Sequence, residues 1–212
     1  VYGVDCERCH GASANHVAYH IAHPNDKIAK YILSEKSLSR QQKLDLCALC
    51  HSGIRTAVKP VFSFKAGDKL EDFSLPKYNT DSVATLDVHG NQYGLLTSSK
   101  CFKNSQMDCS SCHSDHAREV NVPALYSQRC MNCHNGTEQP KCKIKPTAGI
   151  VLSENCIDCH MPALPSKAIF LQLADASKST ADFVRTHRVA IYQEATKEFI
   201  KQAKAKKISP QG

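Results

Sequence analysis

Residues 109–134 contain two copies of one short pattern, Cys109-Ser110-Ser111-Cys112-His113 and Cys130-Met131-Asn132-Cys133-His134. Three further copies occupy residues 6–10, 47–51 and 156–160. A random arrangement of this composition, with 12 Cys and 11 His among 212 residues, predicts only about 0.03 copies. The five copies therefore set the constraint around which the rest of the chain must fold.

The spacing within the pattern has a chemical reason. Two thiols three positions apart on one turn of backbone can reach the two vinyl groups of a haem, and the next His then lies under the iron as its proximal ligand. Paired cysteines also build four-cysteine zinc sites. Such sites need no adjoining His, and five pairs make an odd number of half-sites, so we predict five covalent c-type haems rather than zinc.

The predicted attachment uses ten cysteines and five proximal histidines. The thioether cysteines are Cys6, Cys9, Cys47, Cys50, Cys109, Cys112, Cys130, Cys133, Cys156 and Cys159. The proximal iron ligands are His10, His51, His113, His134 and His160. Haem at this density forms part of the core, which accounts for the absence of Trp and predicts that the chain without haem does not fold.

Six histidines lie outside the motifs and nearly match the five open axial positions. We predict bis-histidine haems whose distal ligands are His16, His20, His89, His116 and His187. His116 is three residues from His113, and the porphyrin plane bars it from the same iron, so it must cross to another haem. His23 precedes Pro24 at an expected helix end and is the weakest candidate, while the three Met residues are expected to pack rather than ligate.

The spacing of the motifs suggests how the chain is organised. Gaps of 36, 57, 16 and 21 residues separate successive motifs, which places the last three in a tight run. We predict a mainly α fold with extensive irregular loops, a multihaem cytochrome c fold in which residues 1–212 form one domain around five haems. The long insert at 52–100 is expected to be mostly irregular, with residues 61–64 as its only strand-like piece.

Three helices are predicted from local signals. One opens after Gly11, and a second runs from Ser39 to Cys50 and presents the second motif. The third is a long C-terminal helix over about 180–207, capped by Ser179 or Thr180, with an apolar face that repeats through Phe183, Ile191, Ala195 and Phe199.

Cys101 and Cys142 remain after the motifs are assigned. An even number of leftover cysteines in an oxidising compartment favours one disulfide between them. The alternative is two free or separately employed thiols.

Charge and hydropathy limit the classes of partner. About ten haem propionates offset the formal charge of +7, and about five ferric porphyrin irons return about +5, so the holoprotein is close to neutral and we predict no nucleic-acid partner. No stretch of about 18 apolar residues exists, so no transmembrane segment is expected in this chain. Val1 lies five residues before the first motif, and we interpret the sequence as a mature chain or a fragment, with the abrupt start favouring a fragment.

Several stretches resemble large multihaem cytochromes c, a group related to tetrahaem cytochromes of ammonia oxidation, pentahaem nitrite reductases and octahaem hydroxylamine oxidoreductases. The stretches are residues 3–11 with 15–17, 87–93, 109–116, 159–162 and 185–188. The resemblance covers nearly the whole chain and implies further haem-bearing sequence before it. Nitrite-reducing members carry a Cys-x-x-Cys-Lys site with an open iron, which this chain lacks.

Two functions follow from these expectations. The first is an electron-transfer relay of bis-His haems, with redox partner proteins such as other cytochromes or a membrane or cell-surface electron-transfer complex. A docking module on such a complex would overlap with it. The second is a redox enzyme that acts on a small nitrogen or sulfur compound at one five-coordinate haem. Either protein is expected in the periplasm, or at the cell surface or outside the cell.

Overall fold

The computed structural model describes residues 4–60, 62–77, 86–120, 122–136, 142, 144, 152–174 and 177–208. The chain divides into two compact units, Val1–Asn79 and Thr80–Gly212, and the single domain expected from the sequence stays a prediction. Among the described residues, no helix combines the length and apolar character needed to cross a membrane.

The helices of the first unit are α1 (Cys6–His10), α2 (Ala14–Ala22) and α3 (Arg40–His51). Helix α3 begins at a capping box. The Gln42 N–H donates to the Ser39 hydroxyl, and the Ser39 N–H donates to the Gln42 side-chain oxygen at 2.9 Å. Leu44 is buried on the inner face of the helix. The helices predicted after Gly11 and from Ser39 are confirmed.

The insert between the second and third motifs contains a short antiparallel pair, β1 (Arg55–Ala57) and β2 (Ser74–Pro76). The prediction of a strand at 61–64 was wrong for residues 62–64, while Val61 lies outside the described residues. Phe64 is instead buried, with its ring edge-on to Phe73 at 5.6 Å. An aromatic side chain that packs by its ring needs no strand partner.

Helix α3 is tied to this insert by a buried carboxylate. Asp45 accepts a hydrogen bond from the Leu70 N–H at 3.0 Å and from the Gln41 amide at 2.7 Å. Burial raises the pKa of the Asp45 carboxyl above its ordinary value, although these hydrogen bonds oppose the shift. The helix that ends in the second motif is thereby anchored at its middle.

The second unit contains helices α4 (Gln92–Thr97), α5 (Lys100–Lys103), α6 (Pro123–His134), α7 (Cys156–His160) and α8 (Gln193–Ile208). It also contains a hairpin of β3 (Ala163–Leu171) and β4 (Thr180–Arg185), whose register is interrupted between Pro165 and Phe170.

The predicted start of the C-terminal helix was wrong. Residues 180–185 form strand β4, and helix α8 begins only at Gln193. The apolar repeat taken as one helix face therefore spans two elements, with Phe183 on the strand and Phe199 on the helix. Pairing with β3 satisfies the backbone of residues 180–185, an interaction that a helical periodicity cannot reveal.

Candidate functional site

Each motif folds around a helical turn. The first and last motifs are the complete short helices α1 and α7, and the second and fourth form the C-terminal ends of α3 and α6. The third begins with a single 3₁₀ turn at Cys109–Ser111. A helical turn places residues three apart on one side, so each pair of thiols is presented together beside its His.

The predicted proximal His of the first and last motifs is held by the same two-way contact with a later loop. His10 Nδ1 donates to the Leu33 carbonyl oxygen at 2.7 Å, and the Leu33 N–H donates to the His10 carbonyl oxygen at 3.1 Å. His160 and Ala190 repeat this arrangement at 2.9 and 3.2 Å. Because a carbonyl oxygen only accepts, the ring proton lies on Nδ1 and the lone pair on Nε2, as metal-ligating histidines require.

Helix α2 contains two predicted distal ligands one turn apart. The ring centroids of His16 and His20 are 4.6 Å apart. His16 Nδ1 donates to the Lys30 carbonyl oxygen at 2.7 Å, which again leaves the lone pair on Nε2. His20 Nε2 is buried, and no described residue makes a hydrogen bond to it. A buried ring nitrogen in this state fits an axial ligand, because metal coordination would satisfy it. His23 follows the helix and packs its ring on Tyr19 at 4.5 Å.

The third and fourth motifs are joined by Arg129 of helix α6. Its guanidinium donates to the Cys112 carbonyl oxygen and to both carboxylate oxygens of Glu119, at 2.5–2.6 Å. Hydrogen bonding from Arg129 lowers the pKa of Glu119 to about 2. The Tyr126 ring, one turn earlier on α6, lies edge-on to the His113 ring at 5.4 Å. Helix α6 therefore contacts both the backbone and the proximal His of the third motif.

The fifth motif is held from two sides. The Cys156 N–H donates to the fully buried Ser127 hydroxyl of helix α6 at 3.1 Å. From strand β4, Arg185 donates to the Ile157 carbonyl oxygen at 2.8 Å and to the Asp158 carboxylate at 2.9 Å. Helix α6 thus links the turns of three motifs in the second unit.

One predicted distal ligand lies against a proximal one. The ring centroids of His113 and His187 are 6.1 Å apart, and their planes differ by 20°. His187 is half-buried and lies on the loop between β4 and α8.

The other two distal candidates of this unit are His89 and His116, both exposed. His89 is positioned through Asp87, whose carboxylate accepts the His89 N–H at 2.8 Å, the Ser166 hydroxyl at 2.8 Å and the Lys167 N–H. Burial raises the pKa of Asp87, but these hydrogen bonds outweigh it, and the net pKa is lowered. The ionised carboxylate therefore fastens the start of the His89 turn to strand β3.

The candidate ligands are balanced within each unit. The first unit contains two motifs together with His16, His20 and His23, and the second contains three motifs together with His89, His116 and His187. The first unit thus contains two motifs and two predicted distal ligands, and the second unit contains three motifs and three predicted distal ligands.

All twelve cysteines lie among the described residues, and none of them is bridged there. Burial raises the pKa of Cys101, with a contribution from the Cys133 thiol. Burial likewise raises the pKa of Cys156, with a contribution from Cys142. The expected bridge between Cys101 and Cys142 is not shown, because their thiols have different neighbours. In the same part of the chain, no three His, Cys, Asp or Glu side chains converge on a position for a zinc ion.

Sequence reasoning missed the residues that orient these groups: Glu119, Arg129, Arg185, Asp87 and Ser127. Arg129 directly precedes the fourth motif, but nothing in the local sequence indicates that its acceptors lie 10 and 17 positions earlier.

Five helical Cys-x-x-Cys-His turns, with histidines oriented through Nδ1, are typical of proteins that carry several covalent haems. The chain is similar to the multiheme cytochrome MtrA of Shewanella baltica (strain OS185), with 26% identity over 166 residues. The aligned region covers 74% of this chain and 42% of that protein, so the chain spans about two fifths of the relative's length. No protein-family model and no solved structure matches the chain.

The similarity supports a multihaem cytochrome c and, with it, c-type haem and electron transfer. It does not confirm the narrower resemblance to nitrite reductases and hydroxylamine oxidoreductases. The fold is mixed, with helices, loops and two antiparallel strand pairs among the described residues, and the predicted five-haem fold is not confirmed.

Proposed function

We propose that this protein is an electron-transfer relay of five covalent c-type haems, each held between two histidines. The observation that carries the proposal is the set of five Cys-x-x-Cys-His turns, accompanied in each unit by enough further histidines to occupy every remaining axial position. Similarity to a multihaem cytochrome supports the same class of function.

The histidines determine how such a relay works. Bound haem supplies a one-electron iron couple. Two imidazoles on each iron leave no position for a substrate, and they remain in place in both oxidation states, so little rearranges when an electron moves. The carbonyl contacts on His10, His16 and His160 hold those rings in the tautomer that ligation requires, which removes a reorientation step.

Contacts with helix α6 hold the last three motifs together. Arg129 ties the third motif to helix α6, and Ser127 ties the fifth motif to the same helix. Electron transfer between haems depends steeply on their separation, so a common helix that positions three attachment turns favours a constant rate. Sites built on helices hold their geometry better than sites on loops.

The proposed partners are redox proteins, either other cytochromes or a membrane or cell-surface electron-transfer complex. The proposed location is the periplasm or the cell surface. Both proposals rest on the likeness to a multihaem cytochrome. No nucleic-acid partner is proposed, because haem propionates offset the formal charge of +7.

The test is a spectrum of the reduced, purified holoprotein with and without carbon monoxide. A relay with every iron six-coordinate is expected to bind no carbon monoxide. If one of the five haems is high-spin and binds carbon monoxide in the unmodified protein, the relay is refuted and the alternative is an enzyme with one open haem. That enzyme would act on a small nitrogen or sulfur compound.

A further inference from the structure

We propose that His113 and His187 are the two axial ligands of one iron, that of the haem on Cys109 and Cys112. The inference rests on the proposed function and deepens it, because it assigns a particular distal ligand to a particular haem. Proximity in sequence would instead associate His187 with the fifth motif, which ends at His160.

The first support is the separation of the two rings. An imidazole nitrogen binds a first-row metal ion at about 2 Å, so two imidazoles on opposite sides of one iron have ring centroids about 6 Å apart. The centroids of His113 and His187 are 6.1 Å apart. Rings in direct contact have centroids about 4.5–7 Å apart, so the separation fits both arrangements, and the choice of an intervening iron rests on the anchored flanks of His187 and on the exclusion of His116.

The second support is the anchoring of the backbone on both sides of His187. Before it, the fully buried Thr186 donates its N–H to the Pro162 carbonyl oxygen at 3.0 Å. After it, the Val189 N–H donates to the buried Ser99 hydroxyl at 2.8 Å. A residue fixed at both flanks presents its ring in a defined place, as an axial ligand must.

The third support concerns His113 and its neighbour His116. Arg129 holds the backbone of the third motif through Cys112, and Tyr126 packs against the His113 ring. His116 follows His113 too closely to reach the opposite face of the same haem. The distal ligand of this haem must therefore come from elsewhere in the chain, and the centroid of the His187 ring lies 6.1 Å from that of His113.

The assignment has a consequence for the route of electrons. The loop at 186–190 would carry the distal ligand of the third haem in His187 and the carbonyl oxygen that orients His160 of the fifth haem in Ala190. One five-residue segment would then connect the ligands of two irons. The third and fifth haems would be neighbours, and the relay would not follow the order of the motifs along the chain.

The experiment compares His187→Ala with and without Cys109→Ala, using purified holoprotein reduced under carbon monoxide. His187→Ala is expected to open one haem in five. Cys109→Ala leaves the third haem attached through Cys112 alone, and the freed vinyl group shifts the absorption of that haem to longer wavelength. The carbon monoxide spectrum of the double variant is therefore expected to be red-shifted relative to that of His187→Ala.

His116→Ala is the matched control, because His116 is barred from the third haem. Its carbon monoxide spectrum is expected to be the same with and without Cys109→Ala. If intact mass shows that Cys109→Ala carries only four haems, the number of haems that bind carbon monoxide is measured instead of the spectral shift. His187→Ala is then expected to add no haem that binds carbon monoxide.

Three results would overturn the pairing. If the carbon monoxide spectrum of the double variant is not shifted, or if His187→Ala opens a haem in the four-haem protein, His187 is the ligand of another haem. The proposed relay function is unaffected by either result. No binding of carbon monoxide by His187→Ala would remove His187 from the ligand set altogether. If the proposed relay function is itself wrong, the result is different, because the unmodified protein then binds carbon monoxide.

Discussion

Ser99 is expected to control how often the loop at 186–190 opens. Its side chain is 2% exposed, and its hydroxyl accepts the Val189 N–H at 2.8 Å. Ser99→Ala removes this acceptor and leaves a partly buried N–H without its bond, which costs about 1–2 kcal/mol. If that cost falls on the loop alone, the open population rises about 5- to 30-fold.

The assay is hydrogen–deuterium exchange of the peptide spanning residues 186–192. Its amide exchange is expected to accelerate by the same factor. Ser98→Ala is the matched control, because the Ser98 hydroxyl donates to the Leu95 carbonyl oxygen at 2.6 Å within its own helix end. Unchanged exchange in Ser99→Ala, or equal acceleration in Ser98→Ala, would refute the reasoning. With His187 as a ligand, one haem of reduced Ser99→Ala is also expected to bind carbon monoxide, whereas the unmodified protein binds none.

The remaining predictions concern haem content, acid stability and a second ligand. Intact mass is expected to exceed that of the 23.4 kDa chain by about 0.6 kDa for each of five haems, and a smaller excess with all motif cysteines intact would contradict the count. The pKa of Glu119 is about 2 in the folded protein against an ordinary 4.5. The ion pair of Glu119 with Arg129 therefore contributes its full stabilisation of the folded protein above about pH 4.5. This contribution is lost as the pH falls through about 2. Glu119→Gln is expected to abolish this loss of stability in acid, measured by hydrogen–deuterium exchange of the amides of residues 112–120 between pH 5 and 2. If the pH profile of exchange is unaltered in Glu119→Gln, another group is responsible for the acid dependence. Asp87→Asn replaces an acceptor oxygen by a donor and is expected to free His89, so that one haem becomes able to bind carbon monoxide, whereas Asp182→Asn on strand β4 is expected to bind none, like the unmodified protein.

Local signals were reliable where the interactions are local. The helix after Ser39 follows from a capping box whose two hydrogen bonds join residues three apart. Each Cys-x-x-Cys-His pattern likewise folds as a turn because its own five residues determine the spacing of thiols and His. Nothing distant is needed for either.

The C-terminal region shows where such signals fail. A stripe of apolar residues predicted one helix from about 180, yet residues 180–185 pair with strand β3. The choice between helix and strand there depends on a partner strand nine or more residues away, which the periodicity of one segment does not contain.

The sequence by itself determined the chemistry: ten thiols and five histidines at a spacing that suits covalent haem, with enough further histidines for distal ligation. Only the tertiary structure decided which groups meet. It brought the His187 ring to His113, the Arg129 guanidinium to the Cys112 carbonyl, and the Ala190 carbonyl to the His160 ring. The physical reason is that a motif is a property of neighbours along the chain, whereas a second axial ligand must come from the opposite face of the haem, and chain folding alone selects which residue lies there.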